Sequence, residues 1–171
     1  VIFGGTTAGF IFWTPNGGTN WFGGTAVQRP VTDIVGDPND SRRFAITHGG
    51  FGPSKILITA DAGTNFANLT GNLPDVPVNA FAFTPSRNRF FAGTDLGVFE
   101  TIDAGVSWSL TQGLPLVPVT DLVYHAASNR LVAGTYGRGI WTLPLITEPP
   151  ILRGDVDRNG IIDVVEFAAF P

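Results

Sequence analysis

Near the end of the chain, oxygen-bearing side chains recur at alternate positions around one glycine: Asp155-Val-Asp157-Arg-Asn159-Gly160-Ile161-Ile-Asp163-Val-Val-Glu166. Side-chain acceptors stand at loop positions 1, 3, 5 and 9, glycine at 6, a backbone carbonyl from Ile161 at 7, and a carboxylate able to bind through both oxygens at 12. A hard cation takes six to eight oxygens, and a twelve-residue loop of this pattern supplies them. The spacing predicts a calcium (Ca2+) site formed by Asp155, Asp157, Asn159, Ile161, Asp163 and Glu166. An acidic segment kept only for solubility would need neither Gly160 nor the apolar Ile162 at position 8. A second group of chemistry-bearing residues is dispersed: His48 and Phe51, Asp95, Tyr136 and Arg138, with Asp33 and Asp121. An aromatic ring, an arginine and carboxylates suit a sugar or a polar peptide once something brings them to one place. His48 and His125 are each isolated, which argues against metal ligation through them, and the absence of cysteine excludes thiolates and disulfides.

The elements that must position these residues follow from composition and repetition. The chain has 171 residues, 43% hydrophobic and 14% charged, so it forms a core. Its 22 glycines and 13 prolines have no three-residue period, which fits many short strands joined by turns. A net charge of −4, with Lys55 the only lysine, argues against nucleic-acid binding, which needs clustered cations. No apolar run approaches the roughly 18 residues of a membrane-crossing helix. Methionine is absent even at position 1, which reads as a processed product or an excerpt of something longer.

Three patterns recur in phase. Thr14-Pro-Asn16-Gly-Gly18-Thr-Asn20-Trp21, Thr59-Ala-Asp61-Ala-Gly63-Thr-Asn65-Phe66 and Thr101-Ile-Asp103-Ala-Gly105-Val-Ser107-Trp108 start 45 and 42 residues apart. Segments beginning at Arg43, Arg89 and Arg130 start 46 and 41 apart, and a third set begins at Val31, Val78 and Val119. Each period holds four strand candidates, best seen at Val78–Phe83, Arg89–Thr94, Gly97–Ile102 and Val106–Thr111. Continuous apolar runs such as Gly9–Trp13 and Lys55–Thr59 suit strands covered on both faces. Four-stranded sheets repeated at this interval and packed face to face make β-propeller blades. The fold class is therefore all-β: about three and a half four-stranded blades over residues 1–147, then a proline-rich linker at 148–153 and a calcium-binding loop and short helix at 154–171.

The Thr-x-Asp-x-Gly-x-Ser/Thr-Trp segments resemble the Asp-box, or BNR repeat, of sialidases, sortilin-like receptors, photosystem II assembly factors and xyloglucan-cleaving glycosidases. The resemblance covers residues 1 to about 146 and weakens at Asn16, which stands in place of the aspartate. In those families the box lies between third and fourth strands, away from the binding face, and its aspartate holds a turn. Leu131–Trp141 is similar to a closing blade. Thr94-Asp95-Leu-Gly97 resembles a segment of xyloglucanase-type propellers whose aspartate is catalytic, which makes Asp95 a weak catalytic candidate, though no second carboxylate can be assigned to complete the pair that glycosidases need. No sialidase arginine triad can be assigned. Gly154–Asp163 resembles the half-EF-hand loop of dockerins, which implies a cohesin-like partner, although one loop is present where dockerins carry two.

The reading is a bacterial propeller, extracellular or cell-surface, that acts as a binding or scaffold module for a polysaccharide or surface protein. A glycoside hydrolase acting on β-glucans is the alternative. If the blades follow the usual path, the loops between second and third strands put His48, Phe51, Asp95, Tyr136 and Arg138 on one face, beside Asp33 and Asp121 at the start of innermost strands. Fourteen strands in groups of three, four, four and three are too few to close a ring. Missing blades, or further copies of the chain, must complete it.

Overall fold

Short runs of β-branched and aromatic residues between glycine-rich turns form fourteen strands in the computed structural model, which describes residues 1–25 and 27–145. The linker expected at 148–153 and the calcium segment expected at 154–171 lie outside the described residues. The strands pair as four antiparallel meanders in chain order. Sheet 1 contains β1 (Ile2–Gly5), β2 (Phe10–Thr14) and β3 (Phe22–Thr25); sheet 2 contains β4 (Val31–Asp37), β5 (Asp40–His48), β6 (Ile56–Thr59) and β7 (Ala67–Asn68). Sheet 3 contains β8 (Val78–Phe83), β9 (Phe90–Thr94), β10 (Gly97–Thr101) and β11 (Ser109–Leu110); sheet 4 contains β12 (Val119–His125), β13 (Arg130–Thr135) and β14 (Gly139–Pro144). The architecture is all-β, and the described residues hold no α-helix beyond a single 3-10 turn at Ala126–Ser128.

Register shows what the end sheets lack. Phe12 pairs with Gly4 as Phe99 pairs with Ala92, so β1 and β2 correspond to second and third strands, and sheet 1 has no innermost strand among the described residues. Among the described residues sheet 4 has no fourth strand. The outermost strands β7 and β11 are only two residues long. A fourth strand expected from Val106 begins only at Ser109, because the turn before it uses those residues.

Each sheet buries its apolar side chains against its neighbours. Phe3, Ile11 and Trp13 of sheet 1 meet Phe44 and Ile46 of sheet 2. Ala45 and Ile56 meet Phe81, Phe83 and Phe90 of sheet 3. Ala82, Phe91 and Val98 meet Leu122, Leu131 and Ala133 of sheet 4. The core is thus a series of flat seams between stacked sheets, the packing of a β-propeller.

Candidate functional site

Pairing places the loops singled out in the sequence at one end of the sheets. Val31 lies opposite His48, Val78 opposite Thr94 and Val119 opposite Thr135, so each innermost strand starts beside the loop joining the second and third strands. A β-bulge follows each of these starts and turns the next residues out of register. Asp33 and Asp121 sit there, opposite Thr47 and Gly134.

The loop after β5 is held from several directions. The Arg29 guanidinium donates to the carbonyls of Phe51 (2.7 Å) and Ser54 (2.5 Å). The Asp75 carboxylate accepts from the Gly52 N–H (2.6 Å) and from Lys55 Nζ (2.6 Å). Lys55 is 1% exposed, so its charge is stabilised by this partner and not by water. Lys55 and the Gly52 N–H, with the nearby charge of Arg29, hold the Asp75 carboxyl below its usual range. Held in this way, the loop lifts the Phe51 ring into solvent, 70% exposed. Leu96 and Tyr136 occupy the corresponding loops of sheets 3 and 4 and are also exposed. The Leu96 N–H donates to Thr94 Oγ1, and the Tyr136 N–H to the carbonyl of Pro118. Three successive sheets therefore present an apolar or aromatic side chain on anchored backbone. The sequence pointed to Phe51 and Tyr136 but not to Leu96, whose position in the repeat was the available signal.

The other expected site residues divide into two groups. Arg138 is exposed, and its carbonyl accepts from Trp141 Nε1 (3.0 Å). Asp95 is exposed and accepts from Asn79 Nδ2 (2.8 Å), which also donates to the Val119 carbonyl. Asp121 is exposed, while Asp33 is half-buried and accepts from the Phe81 N–H of the next sheet (3.1 Å). Burial raises the Asp33 pKa, the Phe81 N–H opposes the shift, and the charge of Asp121 adds to it. Asp33 thus ties two sheets together as well as edging the loop face. His48 is fully buried, and neither ring nitrogen has a hydrogen-bond partner. Burial first, then the charge of Arg29, pushes its pKa down to about 4. It is a neutral core residue beneath the loop, with no surface to offer a ligand.

At the opposite end, the repeated turns share one hydrogen-bond set. Thr14, Thr59 and Thr101 each donate to the side chain two residues on, Asn16, Asp61 or Asp103, at 2.7–2.9 Å. Each threonine hydroxyl also accepts from the N–H of Gly18, Gly63 or Gly105, and Asn16, Asp61 and Asp103 accept from the N–H four residues further on. Asp61 is held at about 2 by the N–H and side chain of Asn65 and by Thr59, and Asp103 at about 2 by the side chain and N–H of Ser107 and by Thr101. These carboxylates are committed to turn geometry.

A cavity of about 470 Å³ also lies at this end, between sheets 2 and 3, lined by Arg43, Ile58, Asp61, Phe66, Phe90 and Ala104 among others. Its origin is a difference between repeats. Trp13, which pairs with Phe3 as Ile58 pairs with Ala45, fills the corresponding place in the first seam and leaves no room for a Cβ on Gly63. The smaller Ile58 leaves the gap open. Arg43, which lies over the Phe83 and Phe90 rings, is paired with Asp37 at 2.9 Å. The cavity is thus apolar, and the charged groups on its wall already have partners.

No protein-family pattern matches this chain, and no curated protein sequence matches it. Solved structures do. The chain is similar to an ancestral GH74 enzyme, with 24% identity and a TM-score of 0.54 over 63% of this chain and 14% of that one. It is similar to YCF48 bound to D1 peptide, with 19% identity and a TM-score of 0.59 over 82% of this chain and 47% of that one. It is also similar to the β-propeller domain of Myceliophteria thermophila Cps50 (Swd1), with 15% identity and a TM-score of 0.64 over 85% of this chain and 48% of that one. The chain spans half or less of each of these proteins. At such identities the likeness is one of fold, and the fold is the β-propeller.

Proposed function

We propose that this chain is a β-propeller binding module that recognises its partner on the face carrying Phe51, Leu96, Tyr136 and Arg138. The observation that carries the reading is the repeated display of an exposed side chain on anchored loops of three successive sheets. Preorganised loops lose little conformational freedom on binding, so contact made there is retained as affinity. The partner is a surface polysaccharide or a protein, since aromatic and aliphatic tips beside an arginine and the carboxylates of Asp95 and Asp121 suit either. One structural neighbour was solved with a peptide bound, which supports a polypeptide ligand. We extend the proposal to an extracellular or cell-surface setting, where free calcium would fill the loop from Asp155 to Glu166 and the dockerin-like segment would meet a cohesin-like partner.

Binding of the whole chain to arrayed glycans and to extracellular proteins tests the reading. Phe51→Ala together with Tyr136→Ala should abolish a signal that the parent gives, with melting temperature unchanged. Binding that is indifferent to both substitutions would move the site elsewhere.

A second reading is glycoside hydrolysis. It is favoured by the Thr94-Asp95-Leu-Gly97 segment and by the GH74 enzyme among the structural neighbours. Two carboxyl groups at a set separation are required. Here Asp33 is committed to a backbone N–H and Asp95 to Asn79. Release of reducing ends from β-glucan by the chain, lost in Asp95→Asn, would establish this reading over the first.

A further inference from the structure

We propose that the cavity between sheets 2 and 3 is a binding site for a small, neutral, planar aromatic molecule of about indole size. It lies at the turn end of the sheets, away from the loops that present Phe51, Leu96 and Tyr136, and is independent of them. The seam that precedes it shows what fits. In sheet 1, Trp13 of β2 pairs with Phe22 of β3, and the two rings stack with centroids 6.0 Å apart. In sheet 2, the same register pairs Ile58 of β6 with Ala67 of β7. An isoleucine and an alanine thus stand where the first sheet has two rings. The Trp13 indole lies over the turn glycine of the next sheet, so that a Cβ on Gly63 would meet a ring carbon at 2.7 Å. The second seam repeats that turn at Ala104 and Gly105, but Ile58 stands in the place of the indole. The space left over is the cavity of about 470 Å³.

The walls suit a neutral ring. Phe66 and Phe90 supply aromatic side chains, and Ile58, Leu69 and Ala104 supply aliphatic ones. The charged groups are already committed, Arg43 to Asp37 and Asp61 to Thr59 and Asn65. A charged ligand would lose its water there and meet no unpaired counter-charge, and water itself would find few partners. Sheet 3 shows a polar filling of the same position. Its register sets Glu100 opposite Ser109, and Glu100 accepts from Arg89 Nε. In sheet 2, Ile58 replaces that acid, and Arg43, the counterpart of Arg89, pairs with Asp37 instead. The position therefore holds stacked rings in sheet 1 and an ion pair in sheet 3, and is apolar and open only in sheet 2. Small-molecule pockets measure roughly 300–1,000 Å³, and a planar ring would restore the close packing that Trp13 gives the first seam. Because Asp61 and Asn65 are bonded to each other, the backbone of a partner protein would gain no hydrogen bond from them. The occupant is thus a free molecule.

Calorimetry on the full chain with indole, and with N-acetyltryptophanamide as the stand-in for a partner's side chain, tests the site. The parent should bind indole saturably, with a dissociation constant of roughly millimolar or tighter. The methyl resonances of Ile58 and Ala104 should shift during the titration. Ile58→Trp should abolish binding and raise the melting temperature, because the chain then supplies its own ring. Ala67→Phe, on an exposed outermost strand, should weaken binding by about tenfold or more. It carries the test should Ile58→Trp fail to fold. No binding of indole to the parent at millimolar concentration would overturn the proposal and make the gap a packing defect. Binding indifferent to both substitutions would overturn the assignment to this cavity. N-acetyltryptophanamide held as tightly as indole would overturn the free ligand and give the cavity to an aromatic side chain of a partner protein.

Discussion

His48 lies at the end of β5 with both ring nitrogens unpaired, and burial holds its pKa near 4, below its ordinary 6.5. The unfolded chain therefore binds a proton that the folded chain refuses between those values. The stability at stake is full above about pH 6.5 and is lost as pH falls toward 4, on the order of 3 kcal/mol. His48→Leu removes the titration and the unpaired groups together, so it should flatten the stability profile between pH 4 and 6.5 without loss at pH 7. Urea unfolding at a series of pH values measures this, and a profile unchanged in the variant would assign the acid sensitivity to other groups. The turn carboxylates act in a lower window. Asp61 and Asp103, held at about 2 against the ordinary 3.8, contribute above pH 4 and lose that contribution as pH falls toward 2. Asp103→Ala should lower the melting temperature, whereas Asp103→Asn should retain most of it, because Asn16 already fills that role in the first repeat. Equal melting of the two variants would show that hydrogen-bond acceptance is not what the position contributes. The turn residues were legible in the sequence because their bonds run within four residues. His48 was read as a loop residue because its burial is decided by packing that a linear reading does not contain.

Strand boundaries were legible where one local rule acted alone. Val78–Phe83 came out as expected, since its β-branched and aromatic run ends at turn residues on both sides. The outermost strand expected at Val106–Thr111 was read too long, because the hydrogen-bonded turn competes for the same residues and holds them. The glycine reading of that turn was also incomplete. Ala62 and Ala104 have φ of 59° and 60° just before the expected glycines, where the first repeat has Gly17. An alanine in the left-handed region is strained, so Ala62→Gly should stabilise the chain by roughly 0.5–1 kcal/mol despite the added freedom of the unfolded state. Denaturant titration at pH 7 reads the sign directly, and a loss of stability would mean that the methyl group packs usefully. The loop over 49–54 depends on a longer-range element, Arg29, which no motif indicated. Arg29→Ala removes two charge-assisted bonds to backbone carbonyls. Hydrogen exchange at Gly50, Phe51 and Gly52 should then quicken by about tenfold, a local loss near 1–2 kcal/mol. The amides of β8–β10 should keep their protection. If the Phe51 amide exchanges no faster, the loop is held by Asp75 and Lys55 alone.

On the scale of the whole molecule, repetition made the stacked sheets legible, because three patterns in phase can be satisfied only by units that bury one another. The end sheets were legible only as a strand count, and register showed which strand each lacks among the described residues. The same quasi-linear build governs how the proposed calcium segment should couple to the rest. Each sheet draws its stability from the seams it shares with its neighbours. The ion's binding energy should therefore act on the loop from Asp155 to Glu166 and stop short of the seams. In the proposed calcium segment four carboxylates and Asn159 fall within twelve residues of sequence, and a bound cation would relieve the repulsion among those charges. Glu166→Gln removes one charge with little change in volume, so calorimetry should find calcium affinity weakened by about tenfold or more, with unfolding of the sheets unmoved. Chelation of the parent should reproduce that separation: the heat of calcium binding disappears while the sheet transition keeps its midpoint. No binding at millimolar calcium would remove the ion from this protein. A sheet transition that falls on chelation would retain the ion and make the segment a brace on the sheets.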